Sequence, residues 1–319
     1  MRSVYRTKYG PPESLQIKDI QRPIPKSDEI LVRVYATTVN RTDCGGLRGE
    51  PFVYRFFAGF PHPRHKATGS DFAGEVAAVG SEVKDYEVGD RVFGFDDNSL
   101  GSHAQYMTCS IKTAIQKIPD GVSYPDAAAS LEGAHYALNF MNKINLNPED
   151  RVLVNGATGA IGSAAVQLLK YIGVHVTAVC GGDHIEKVAR LGADRVIDYS
   201  QEDFTKTGER YHFIFDAVGK STFGLCRKII LPTGAYISSE LGPYGQNLVL
   251  PISTRFSGGP KVIFPLPYDI RVSVAHMAKL LREGRFKPLI DRSYSLDQVR
   301  EAFEYVSSGQ KTGNVVLLP

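Results

Sequence analysis

Arg151-Val152-Leu153-Val154-Asn155 runs directly into Gly156-Ala157-Thr158-Gly159-Ala160-Ile161-Gly162, and this stretch decides the fold. An apolar run, a glycine turn and a small-residue helix start follow one another. That is the order in which a strand brings a dinucleotide pyrophosphate to a helix N-terminus. Glycines are needed because a side chain at the turn would block close approach of the backbone, while the first N–H groups of the helix hold the anion. Ala164, Ala165, Leu168 and Leu169 continue the helix to Gly173, and His175–Cys180 supplies a second apolar strand that closes a βαβ unit. Gly156, Ala157, Thr158, Gly159, Ala160, Ile161 and Gly162 are therefore candidate cofactor-binding residues.

The rest of the chain is compatible with a two-domain α/β protein. Its 319 residues, 43% apolar and 22% charged, suffice for about two cored domains. The formal charge of +3 arises from 37 basic and 34 acidic residues mixed along the chain, so no basic block points to nucleic acid as a partner. Cys44, Cys109, Cys180 and Cys226 are far apart, which indicates reduced thiols rather than a disulfide framework or zinc ribbon. The N-terminus lacks the apolar core of a secretion signal and no segment approaches a membrane span, so a cytoplasmic location and no membrane partner are expected.

Residues 1–115 carry short strand signals between turns, at 29–35, 72–79, 90–93 and 104–107, and read as a compact β domain. The texture changes near Ile118, and Ser123-Tyr124-Pro125-Asp126 opens the first substantial helix. From there strands at 152–155, 175–179, 195–197, 213–215 and 235–237 alternate with helices, the pattern of a doubly wound parallel sheet. A helix over 268–283, a cap at 294–297, a helix over 297–307 and a terminal strand over 314–318 are expected to return to the first domain. The expected domains are 1–117 with 267–319, and 118–266.

This layout resembles the medium-chain dehydrogenase/reductase superfamily, and fits its zinc-free quinone-oxidoreductase (zeta-crystallin-like) branch best. The likeness rests on Val39-Asn40-Arg41-Thr42-Asp43 with Leu47-Arg48-Gly49, Gly69-Ser70-Asp71-Phe72-Ala73-Gly74 with Val79-Gly80, Val88-Gly89-Asp90-Arg91-Val92, the glycine turn, Leu191-Gly192-Ala193-Asp194 with Ile197-Asp198-Tyr199, and Asp216-Ala217-Val218-Gly219. The resemblance implies a strand-rich GroES-like domain, a Rossmann domain that binds NADP, and a homodimer joined through the edge strand near Ile263-Phe264-Pro265-Leu266. Zinc-dependent members have a cysteine and a histidine where this chain has Asn40 and Ser70. An amide and a hydroxyl do not hold zinc, the four-cysteine loop is missing, and His62 and His65 have no third ligand nearby, so no metal is expected. No flavin motif is present.

An acid about 20 residues past the glycine turn would accept the ribose 2′-OH of NADH. Gly181 stands there instead, so NADPH is expected over NADH. Tyr199, His184 and Lys187 are the candidate contacts to its 2′-phosphate, opposed by Asp183, with solvated helix residues as the alternative for His184 and Lys187. By the resemblance, Asn40 lies near the nicotinamide with Asp43 beside it, and both are catalytic candidates; the alternative is that they only cap the turn that follows. Tyr54 is a candidate proton donor or enolate stabiliser on an aromatic loop that otherwise reads as pocket lining or core. The branch often has tyrosine where this chain has Gly45. His135 stands where the family usually has threonine near the ribose, against the reading of a satisfied structural histidine. Val218 and Phe264 complete the expected cofactor contacts. The implied activity is hydride transfer from NADPH to a quinone or α,β-unsaturated carbonyl, with positioned donors stabilising the oxygen that gains charge. The alternatives are a non-catalytic NADPH-binding regulatory protein and, with missing ligands against it, a metal-dependent alcohol dehydrogenase.

Overall fold

The computed structural model describes residues 1–97, 100–266 and 268–319, and divides into one unit of Met1–Glu132 with Asp269–Pro319 and another of Gly133–Tyr268.

In the first unit β1 (Arg2–Tyr5) pairs antiparallel with β2 (Gln16–Asp19). Strand β3 (Glu29–Val39) pairs antiparallel with β4 (Asp71–Val79), which continues to β5 (Arg91–Phe95). Strand β6 (Tyr106–Ser110) joins β3 and β7 (Ala114–Lys117) joins β5. Alternation along β3 turns Ile30, Val32 and Val34 inward, where they meet Phe72, Val76, Val92, Met107 and Ile115. The sixth strand begins at Tyr106, not at residue 104 as its sequence suggested, because Ala104 makes only an isolated bridge to Ser3. Helices α1 (Arg41–Arg48) and α2 (Tyr54–Ala58) fill the long connection from β3 to β4.

Helix α3 (Tyr124–Ala129) starts where expected, with the Ser123 hydroxyl accepting from the Asp126 N–H at 3.1 Å. It belongs to the first unit, however, and not to the second domain as the expected boundary at 117/118 implied. Its three alanines are buried, Tyr124 stacks on Tyr35 of β3 at 4.6 Å, and the Arg91 guanidinium lies 4.6 Å over the same ring. Small side chains let this helix lie flat on β3 and β4.

The second unit starts within α4 (Glu132–Met141) and holds six parallel strands: β8 (Arg151–Asn155), β9 (His175–Cys180), β10 (Arg195–Asp198), β11 (Tyr211–Asp216), β12 (Ile230–Ser238) and β13 (Lys261–Ile263). Their order is β10-β9-β8-β11-β12-β13, so the winding reverses between β8 and β11, where open α/β sheets bind ligands. Helices α5 (Ala160–Tyr171), α6 (Ile185–Ala189), α7 (Phe223–Cys226) and α8 (Gln246–Arg255) make the crossovers. Leu153, Val179, Ile214 and Tyr236 form the core on one face of the sheet.

The tail returns to the first unit as expected. Helix α9 (Ile270–Arg282), capped by Asp269, leads to β14 (Ile290–Ser295), α10 (Val299–Ser307) and β15 (Asn314–Leu318), and β15 pairs antiparallel with β3. Ser295 and Gln298 form a capping box around a 3-10 turn, which delays α10 to Val299. Val299, Ala302, Phe303 and Val306 then close a core with Val4, Leu15, Leu47 and Val315. All four cysteines are free and buried.

Gly74 fixes the approach of β4 to β3, since a methyl group there would overlap the Arg33 carbonyl and lie 2.7 Å from Val32. Gly74→Ala is expected to lower unfolding stability by about 1–3 kcal/mol, measured as a shift of the urea midpoint at unchanged slope.

Candidate active site and cofactor cradle

The glycine turn is built by close backbone contact. Gly156 adopts φ +81°, which L side chains rarely adopt, and a Cβ there would lie 2.7 Å from Val218. At Gly162 a methyl group would overlap the Gly156 carbonyl oxygen. The Gly156 and Ala157 N–H groups donate to the Val179 carbonyl at 3.2 and 3.0 Å, which ties the turn to β9. Gly159 precedes α5 and has no side chain with which to cap it, so the N–H groups of the first helical turn face an anion without competition.

Asp216, fully buried at the end of β11, supports this turn from behind. It accepts from Asn155 Nδ2 at 3.0 Å, from the Gly219 and Ser221 N–H groups at 3.0 and 3.1 Å, and from the Tyr236 hydroxyl at 2.6 Å. One carboxylate thus links the last residue of β8 to the loop carrying Val218. Sequence reasoning placed Asp216 at a strand end but missed this role, because two of its partners, Asn155 and Tyr236, come from other strands.

At the end of β9, Gly181 lies beneath the Tyr199 ring: a Cβ on it would be 3.3 Å from the Tyr199 hydroxyl. Tyr199 itself is 66% exposed and so presents its ring to a ligand. A Cβ on Gly182 would be 2.6 Å from Asp198 Oδ2, so a carboxylate flanks the position where the acid after the second strand is missing. The Ser200 N–H and hydroxyl both donate to Asp198, at 2.9 and 2.8 Å. His184 is half-buried at the end of a short 3-10 turn, while Lys187 is exposed on α6. Phe264 is half-buried just past β13.

In the first unit the side chains around Asn40 form one buried polar network. The Asn40 N–H donates to Asp43 Oδ2 at 2.9 Å, one arm of a capping box on α1. Its side-chain amide donates on one side, to Thr38 Oγ1 at 2.6 Å and to Asp71 Oδ2 at 3.3 Å, two acceptors that are themselves bonded to each other. Asp71 also accepts from the Thr38 N–H at 2.7 Å and from the Thr37 and Thr38 hydroxyls. The buried His103 ring bonds the Thr38 carbonyl through Nε2 and the Thr68 hydroxyl through Nδ1, both at 2.9 Å, and burial pushes its pKa down. The geometry makes Asn40 and Asp43 a helix-capping pair, with the Asn40 amide bonded on the side of Thr38 and Asp71. Ser70 donates to Glu132 at 3.3 Å, and the Thr42 hydroxyl donates to the other oxygen of the same carboxyl. Glu132 and Thr42 were not singled out in the sequence, where nothing marks an acid at a helix start as paired with residues so far away.

Tyr54 opens α2, 38% exposed, with its hydroxyl over Gly46 of α1. It makes no hydrogen bond to Asn40 or Asp43. His135 is buried on α4 with Nε2 paired to the Asn139 amide at 3.3 Å, the arrangement of a satisfied core histidine. His62 and His65 are both exposed, and no group of three His, Cys, Asp or Glu side chains among the described residues is arranged to hold a metal.

The chain matches the alcohol dehydrogenase GroES-like domain over residues 26–120 and the zinc-binding dehydrogenase family over residues 191–317. It is 28% identical over 334 residues to the chloroplastic quinone-oxidoreductase QR1 of Triphysaria versicolor, covering 100% of this chain and 98% of that protein. With the chloroplastic NADPH-dependent alkenal/one oxidoreductase of Arabidopsis thaliana it shares 27% identity over 327 residues, covering 98% of this chain and 78% of that one. The solved structure of Escherichia coli quinone oxidoreductase complexed with NADPH superposes over 100% of both chains with a TM-score of 0.83 at 23% identity. The chain belongs to the medium-chain dehydrogenase/reductase superfamily, and within it to the quinone-oxidoreductase branch.

Burial raises Asp43 from 3.8 to about 7, against the Asn40 N–H and the Arg6 charge, and raises Asp71 to about 6 against its Thr38 bonds. A carboxyl whose pKa rises on folding holds its proton more tightly in the folded chain. The stability that these two carboxyls contribute is therefore fullest below about pH 4 and is lost as the pH climbs towards about 7. Asp43→Asn keeps an acceptor for the Asn40 N–H and removes the charge, so its urea midpoint should fall less steeply between those limits than that of the parent chain. Equal slopes would show that Asp43 does not carry the effect.

Proposed function

We propose that this chain is a zinc-independent, NADPH-dependent reductase that delivers hydride to a quinone or an α,β-unsaturated carbonyl. The observation that carries the reading is the coexistence of an open glycine cradle with a network in which an amide, Asn40, and a hydroxyl, Ser70, stand hydrogen-bonded to protein partners. The cradle fits a dinucleotide: Gly162 lies on the Gly156 carbonyl, and the uncapped start of α5 is free for a pyrophosphate. Gly156–Gly162 would hold the phosphates, and Gly181 with Tyr199 would border the adenosine ribose. When bound, the reduced nicotinamide supplies hydride, two electrons with one hydrogen nucleus. Asn40 and Ser70 offer no Lewis-acid ligand set, so charge arising on the acceptor oxygen is left to hydrogen-bond donors and a proton source. Relatives named as quinone oxidoreductases and as an NADPH-dependent alkenal/one oxidoreductase support the same acceptor classes. A homodimer joined through β13 accords with its place at the sheet edge, where backbone groups are open to pairing.

Chelator-treated protein should oxidise NADPH with a small quinone or a 2-enal, and added zinc should not raise the rate. Tight NADPH binding with no turnover on either acceptor class would instead support a non-catalytic NADPH-binding protein.

Selection of NADPH over NADH is opposed by Asp198, whose carboxylate flanks Gly182. Asp198→Asn should raise the NADPH-to-NADH ratio of kcat/KM by roughly threefold to tenfold, with a smaller effect at high salt. An unchanged ratio would place the 2′-phosphate away from this carboxylate.

A further inference from the structure

Five apolar side chains between residues 52 and 60 of the first unit stand in water together: Phe52 and Val53 are each 57% exposed, Phe56 62%, Phe57 77% and Phe60 61%. They are not strewn along a loose loop. The Phe52 ring meets Phe56 at 5.8 Å and Phe60 at 6.2 Å, and Phe56 stacks on Phe60 at 6.0 Å. The backbone beneath is tied down, with Arg55 donating from Nε to the Gly49 carbonyl at 3.1 Å and from Nη2 to the Arg48 carbonyl at 2.9 Å. The Tyr9 hydroxyl donates to the Gly59 carbonyl at 2.7 Å. Folding therefore holds an aromatic cluster outward and forgoes the gain of burying it, which is the mark of an interaction surface.

The residues that follow supply charge of one sign. His62, Arg64, His65 and Lys66 are all exposed, and the last three line a surface depression of about 360 Å³ together with Tyr5. The Arg64 N–H donates to the Ala58 carbonyl at 2.8 Å, so the basic stretch turns back onto the aromatic one. Its far end is held by β1 and the residue after it: Tyr5 bridges Ala67, and the Arg6 N–H donates to the Lys66 carbonyl at 2.8 Å. Between Cys44 and Ser70 the one acid is Glu50.

We propose that this surface docks the protein on an anionic lipid membrane, with the phenylalanine rings entering the boundary between headgroups and acyl chains and Arg64 and Lys66 meeting the negative headgroups. Exposed rings beside unopposed cations are complementary to such a surface in both polarity and charge. A second copy of the chain is the poorer occupant, because an isologous contact would set these cations against one another. No helix among the described residues is long and apolar enough to cross a membrane, but resting on one requires none. The inference goes beyond the reductase reading and does not depend on it, since it uses neither the glycine turn nor the Asn40 network.

Flotation of the whole chain with vesicles tests the proposal. Vesicles of phosphatidylcholine mixed with phosphatidylserine should carry the protein upward, pure phosphatidylcholine should carry roughly tenfold less, and added salt should lower the bound fraction. Phe56→Ser with Phe57→Ser, and separately Arg64→Gln with Lys66→Gln, should each weaken binding to the mixed vesicles by roughly tenfold or more. A second readout does not depend on the double variants folding. The chain has no tryptophan, so Phe57→Trp introduces a single reporter whose emission should shift to the blue on adding mixed vesicles. Phe256→Trp, at an 85% exposed position in the second unit, should show no shift. Failure of the parent to bind mixed vesicles, binding that both double variants retain, or a blue shift confined to Phe256→Trp overturns the proposal. Self-association that Phe56→Ser with Phe57→Ser abolishes, in a parent that ignores vesicles, overturns it in favour of a second copy of the chain.

Discussion

A carboxylate moved out of water must find donors for its lone pairs or give up its charge, and this constraint organises both halves of the molecule. In the first unit Asp71 meets it by accepting from Thr37, Thr38 and Asn40, and so pins the end of β3 to the start of β4. The bonds do not fully offset the burial, since Asp71 remains raised to about 6. Each neighbouring acid makes the next harder to ionise: Asp71 is raised by Asp43, and Glu132 by both. The outcome is a set of carboxyls close to their proton-binding range at neutral pH, without a metal ligand among Asn40 and Ser70.

The second unit solves the same problem differently. Asp216 is as deeply buried as Asp71 but is surrounded by the Gly219 and Ser221 N–H groups, the Asn155 amide and the Tyr236 hydroxyl. Backbone donors do not move independently of the loop that carries them. By collecting them, Asp216 fixes the course of residues 216–221 and with it the wall that Val218 presents to Gly156. The glycine turn is therefore held from both sides, by Val179 on β9 and by this loop, and its geometry exists before any ligand arrives. Such preorganisation matters for an anion site, where donors that needed reorienting would cost part of the binding energy.

The features legible in the sequence were those that depend on neighbours along the chain. The strand-turn-helix order around Gly156 and the Ser123 and Ser295 caps rest on contacts within a few residues and lie where expected to within a residue or two, while β3 and β12 run several residues beyond the stretches their patterns marked. Helix α3 was assigned to the wrong unit because a short alanine-rich helix carries no mark of which sheet it will cover; the stacking of Tyr124 on Tyr35 decides that, and the pairing is nonlocal. The same reason hid the pairing of Glu132 with Thr42 and Ser70, which are 90 and 62 residues away. Asn40 is the instructive intermediate. Its place beside Asp71 is consistent with the motif that drew attention to it, yet whether an amide serves a ligand or the protein depends on what its hydrogens find, and the bonds to Thr38 and Asp71 come from residues the motif alone does not pair with it.

The residue types at positions 40 and 70 also bear on the electrostatics of the acids around them. A metal at this position would neutralise the surrounding acids and lower their pKa values, whereas an amide and a hydroxyl leave their mutual repulsion intact. Asp43, Asp71 and Glu132 are then all raised by burial, Asp71 also by Asp43, and Glu132 also by Asp43 and Asp71. The acids of the first unit are thus difficult to ionise as a group, each through its own burial and, for Asp71 and Glu132, through the acids beside it.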